Sequence, residues 1–107
     1  MELKKLVLDL IEVGKTINNN RVRQNYYNEQ GMVAIDSMDK VLRNIKTEKL
    51  KDFLSEVNKR KSFYENELLN LAPSYVGSVM YNNLNSNIKS CNTILKRFDL
   101  VQKNLGR

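Results

Sequence analysis

A chain of 107 residues is the size of one domain, and 41% hydrophobic against 28% charged residues is the balance of a folded protein, not a disordered tail. With no His, no Trp, one Cys and one Pro, the sequence lacks the groups on which most chemistry at neutral pH depends, and this argues against an enzyme. The formal charge of +6 is unevenly spread: residues 1–67 carry 13 basic and 11 acidic groups, whereas residues 68–107 carry five basic and one acidic. A basic C-terminal third suits phosphate, anionic lipid or an acidic protein surface.

No apolar run approaches the ~20 residues that a membrane-spanning helix needs. Glu2 and Asp9 interrupt the stretch where a secretory leader would be uninterrupted, and Cys91 has no partner for a disulfide. Both features lead to the expectation of a cytoplasmic protein. The abundance of Asn and Lys is that of an AT-rich bacterial or phage genome.

Taken in chain order, Leu3, Leu6, Leu10, Val13 and Ile17 repeat at alternating spacings of three and four, which predicts a helix over 2–17. Asn18-Asn19-Asn20 follows, residues that favour caps and turns, with Asn18 or Asn19 suited to the left-handed conformation that ends a helix. Tyr27, Ala34, Met38, Val41 and Ile45 resume the stripe and predict a second helix over 21–45. The alternative is one helix through the triplet to residue 45. It would extend ~66 Å and outreach its neighbours, and a second copy would have to cover its far half as a homo-oligomer.

Thr47 is the expected N-cap of a third helix over 47–72, carrying Leu50, Leu54, Val57, Tyr64, Leu68 and Leu71, with Phe53 widening the stripe. Pro73 stops it, and Ser74 can cap the next. The fourth, over 75–105, has the widest apolar face: Tyr81, Leu84, Ile88, Cys91, Leu95, Phe98 and Leu105, with Met80, Ile94 and Val101 flanking and Gln102 a polar intrusion. Gly106 ends it. No alternating run with a hairpin dipeptide predicts a strand. The expected fold is therefore all-α, a single domain over 1–107 forming an antiparallel bundle of four helices, or of three with a long first one.

Few constellations could carry chemistry. Asp36 and Asp39 lie three apart and Asp52 and Glu56 four apart, but di-metal bundles add His from facing helices, so both pairs read as charges on solvated faces. The helical neighbours of Cys91 are Asn87, Ile88, Ile94 and Leu95, the setting of a core filler and not of an activated thiolate. No metal or cofactor is expected.

The richest polar segment is Arg21-Val22-Arg23-Gln24-Asn25-Tyr26-Tyr27-Asn28. Arg and Tyr dominate binding hot spots and also meet phosphate and stacked bases. On a helix Arg23 and Tyr27 would stack, and Tyr26, ~100° away, would face solvent. Arg21, Arg23, Tyr26 and Tyr27 are thus the expected partner-binding residues. Lys89, Lys96 and Lys103 recur every seven residues and form a candidate basic face, whereas Lys59-Arg60-Lys61 fans around its helix.

Tyr75-Val76-Gly77, placed before a helix, resembles the Trp-x-Gly bend of the small helical-hairpin proteins handled by type VII secretion systems, with Tyr75 in place of the Trp. The resemblance covers three residues and implies a small helical protein that pairs with a partner. The expected function is a non-enzymatic protein-binding module of the adaptor, inhibitor, immunity or secretion-partner type. The alternative is a nucleic-acid-binding accessory protein that uses Arg21, Arg23 and the C-terminal lysines.

Overall fold

A computed structural model describes residues 2–71 and 77–107. Four helices pack around one core: α1 (Leu3–Asn19), α2 (Glu29–Arg43), α3 (Leu50–Leu69) and α4 (Val79–Leu105). Between α1 and α2 the chain forms a small antiparallel hairpin of β1 (Arg21–Arg23) and β2 (Tyr26–Tyr27). A single turn of 3-10 helix, Thr47–Lys49, leads into α3. The chain is thus an all-α four-helix bundle with one two-stranded insertion, and the continuous first helix does not form.

The apolar stripe of α1 is centred one residue away from the spacing read in the sequence. Val7, Leu10, Ile11 and Ile17 are buried, whereas Leu3, Leu6 and Val13 are half-buried at its edge. Gly14 lies on the same buried face, where α1 crosses α4 closely: a Cβ there would lie 2.0 Å from Ser90 Oγ. That hydroxyl is fully buried and donates to the Ile11 carbonyl at 2.5 Å, so the two helices are joined by a polar contact inside the core.

Helix α2 contributes Ala34, Ile35, Met38 and Leu42 to the core, and α4 contributes Cys91, Ile94, Phe98 and Val101. Phe53 and Val57 are the fully buried residues of α3, and Leu50, Leu54 and Tyr64 pack half-buried against the same core. Phe53 and Phe98 stack with ring centroids 5.5 Å apart and 22° between planes. This geometry is worth ~1 kcal/mol beyond the area it buries. Helix α4 packs against each of the other three. At 27 residues it runs ~40 Å at the helical rise per residue, most of the 46 Å long axis of the molecule.

Several helix boundaries differ from the sequence expectation. Helix α1 runs through Asn19, and its cap Asn20 has φ −111°, outside the left-handed region. The left-handed Asn is Asn25, at φ 65° in the hairpin turn. The second helix begins at Glu29, not at residue 21, because Asn28 caps it by accepting from Gly31 N at 2.9 Å and Glu29 places an acidic group in its first turn. Thr47 does not cap the third helix; it opens the 3-10 turn, Lys49 holds the cap position of α3, and Thr47 Oγ1 instead accepts from Arg107 Nη1 at 3.4 Å. Ser78, whose hydroxyl accepts from Tyr81 N at 3.2 Å, caps α4. Pro73, Ser74, Tyr75 and Val76 lie outside the described residues. Gly106 ends α4 at φ 74°, as expected from its lack of a Cβ.

Candidate functional site

The Arg21–Tyr27 segment is held at its base by two asparagines. Asn28 N donates to the Asn20 carbonyl at 3.0 Å, and Asn28 Nδ2 donates to Asn20 Oδ1 at 2.9 Å. Asn20 Nδ2 in turn donates to the Thr16 carbonyl at 2.8 Å, which ties the base to the last turn of α1. Gly31 lets the hairpin lie against α2: a Cβ there would meet Tyr27 Cβ at 3.0 Å and Asn20 Cβ at 3.1 Å. Arg21 pairs with Tyr27 and Arg23 with Tyr26, with an irregularity at Val22 and the turn at Gln24-Asn25.

This strand geometry changes the pairing expected from a helix. Arg23 does not stack on Tyr27; its guanidinium carbon lies 4.5 Å from the centroid of the Tyr26 ring. In a hairpin with a two-residue turn these two residues face each other, whereas residues four apart do not. Tyr26 is 59% exposed and Val22 70% exposed, whereas Tyr27 is half-buried against the core. Met32 and Val33, in the first turns of α2, are also exposed. The segment thus presents an aromatic ring, a cation stacked on it and apolar side chains on an anchored scaffold.

Behind the hairpin lies a cleft of about 170 Å³ that brings Arg21 and Tyr27 together with Lys96 and Arg97 of α4. Asn18 and Thr93 also line it, with Thr93 Oγ1 donating to Asn18 Oδ1 at 2.9 Å. Arg97 is already engaged: its Nε and Nη2 donate to Oδ1 and Oδ2 of Asp39 in a two-pronged pair, at 3.0 and 2.5 Å. The hydrogen bonds to Asp39 raise the Arg97 pKa above its ordinary value against the opposing effect of burial. Asp39 is therefore a buried partner of α4, not a charge on a solvated face; Asp36 remains exposed.

The three lysines of the proposed basic face are all exposed on α4 but do not act alike. Lys96 joins the cleft, and Lys103 pairs with Asp99 at 3.1 Å. Lys59-Arg60-Lys61 is divided as well: Lys59 pairs with Glu56 at 3.8 Å, and Arg60 lies over the rings of Phe63 and Tyr64 at 5.4 and 5.8 Å. The structure thus places Arg21, Tyr27 and Lys96 on one cleft and leaves Arg23 and Tyr26 facing outward.

Asn18, Thr93 and the Asp39–Arg97 pair were not singled out from the sequence. The available signal was an acidic and a basic residue on the flanks of two strong apolar stripes, where opposite charges must meet if the stripes face one another. Cys91 is fully buried, and burial pushes its thiol up to about 11, against which nearby Lys61 and Arg60 act only weakly. Among the described residues no group of three His, Cys, Asp or Glu side chains could hold a metal ion, and no helix is long and apolar enough to cross a membrane. No known family, curated protein or solved structure matches this chain.

Proposed function

We propose that this protein is a non-enzymatic binding module that acts by occupying a protein partner through the Arg21–Tyr27 hairpin. The observation that carries this reading is the exposed Arg23–Tyr26 stack on a hairpin whose base is fixed by Asn20 and Asn28. Arg and Tyr are the residue types that anchor hot spots, and holding them in place before contact lowers the ordering cost of binding. Val22, on the same hairpin, adds exposed apolar area. Adaptor, inhibitor and immunity roles all use such a surface.

The test pairs wild type with the Arg23→Ala/Tyr26→Ala variant as baits in nuclease-treated extract of the native host. A specific protein retained by wild type should bind the variant at least tenfold more weakly, while the melting temperature of the variant stays near that of wild type. Equal retention by both baits would place the contact elsewhere and overturn the reading. Tenfold is ~1.4 kcal/mol, a lenient threshold for hot-spot residues.

A second reading, a nucleic-acid-binding accessory protein, is favoured by the meeting of Arg21 and Lys96 in one cleft. It predicts an affinity that falls steeply with added salt, whereas an aromatic-anchored protein contact changes little.

A further inference from the structure

We propose that the cleft between the hairpin and α4 binds a phosphomonoester group. Three cationic residues from two separate elements line it: Arg21 of β1, and Lys96 and Arg97 of α4. Asp39 pairs with Arg97 through both of its oxygens, and the exposed Asp36 carboxylate also acts on Arg97, whereas among the described residues neither Arg21 nor Lys96 is in a salt bridge. The Arg21 and Lys96 charges are left over, and a phosphomonoester near pH 7 carries close to two negative charges. A carboxylate would match one of them.

The remaining groups suit the same ligand. The Asn18 side-chain amide lines the cleft beside Thr93, whose hydroxyl is within hydrogen-bond distance of both Asn18 Oδ1 and the Lys89 carbonyl, and its amide N–H groups can donate to a phosphate oxygen. The planar guanidinium of Arg21 can meet two phosphate oxygens at once. Arg97 is held by Asp39 through Nε and Nη2, which leaves Nη1 outside the pair. At about 170 Å³ the cleft has room for a phosphate and a few waters. A carrier that extends out of the cleft would meet the exposed Tyr26 ring and Arg23 on the outer surface of the hairpin.

The inference does not depend on the hairpin meeting a protein, and its test uses small probes. The full chain is titrated with inorganic phosphate, O-phosphoserine and acetate at fixed ionic strength, with backbone amide shifts as the readout. Phosphate and O-phosphoserine should give saturable shifts centred on Asn18, Arg21, Thr93 and Lys96, with O-phosphoserine binding at least as tightly as the free ion. Acetate should bind at least fivefold more weakly. Arg21→Gln and Lys96→Gln, both at exposed positions, should each weaken phosphate binding at least fivefold, whereas Lys51→Gln, which removes the same charge from α3, should change it less than twofold. Shifts that grow linearly without saturation would overturn the proposal. So would equal loss in Lys51→Gln, or acetate binding as tightly as phosphate. Binding of inorganic phosphate without O-phosphoserine would overturn the carried group.

Discussion

A Cβ on Gly14 would lie 2.0 Å from Ser90 Oγ, the hydroxyl that donates to the Ile11 carbonyl. In an exposed helix interior, Gly→Ala stabilises by up to ~1 kcal/mol. Here the added methyl must displace a buried hydroxyl, and overpacking of this kind costs about 1–3 kcal/mol. Gly14→Ala should therefore lower the urea midpoint, and adding Ser90→Ala should recover part of the loss by removing the hydroxyl. An unchanged midpoint in Gly14→Ala would mean that α1 and α4 are not in close contact. Cys91 makes a second residue-level prediction. Its folded thiol titrates near 11 against an ordinary value of 9.0, so the unfolded chain loses that proton first as pH rises. The stability contributed by the neutral thiol is whole below pH 9 and is lost between about 9 and 11. Subtracting the pH profile of Cys91→Ala should isolate that decline, and thiol reagents should modify Cys91 slowly in the folded state. Rapid modification at pH 7 would show that the site opens.

At the scale of elements, Asn28 performs two tasks: its oxygen caps α2 through Gly31 N, and its nitrogen clasps Asn20. Losing a cap of this kind costs about 1 kcal/mol. Asn28→Ala should therefore lower thermal stability and loosen the hairpin together, seen as increased amide exchange at residues 21–27. Exchange confined to the first turn of α2 would show that the hairpin does not need the clasp. The helices were largely legible in the sequence because their stripes are long: Leu10 to Ile17 and Cys91 to Phe98 each bury at helical spacing. The hairpin was not. Its two strands hold five residues, too few for an alternating pattern to emerge. Its turn, Gln24-Asn25, is not one of the dipeptides that announce a tight connection. The clues were Asn28-Glu29, a good cap followed by a first-turn acid, and the unfavourable position of Arg21 and Arg23 in any helix starting at residue 21. Of the candidate site, Arg21, Tyr27 and Lys96 were legible as residues, and the nucleic-acid alternative already joined Arg21 to the C-terminal lysines, but the cleft was not: Arg21 and Lys96 are 75 positions apart, and only the folded chain brings them together.

Across the whole molecule, α4 is the element on which the other three rest, and the Phe53–Phe98 stack lies in its contact with α3. Phe98→Ala should cost about 3–5 kcal/mol, a large part of the stability of a domain this size. Leu95→Ala should cost clearly less, since Leu95 is half-buried beside the core. Comparable losses in urea denaturation would move the centre of the core away from the aromatic stack. The Asn20–Asn28 clasp has a different kind of consequence. Because it bonds the hairpin's base to itself, the bundle bears little of the load of what lies between. Residues 22–26 form a cassette: an unrelated sequence of the same length with Asn at position 25 should be accepted with a melting temperature within a few degrees of wild type. Recognition and folding then fall to different residues. The outer surface can diversify under selection for new targets while Gly31, Asn20 and Asn28 stay constrained by the seat on which the cassette sits.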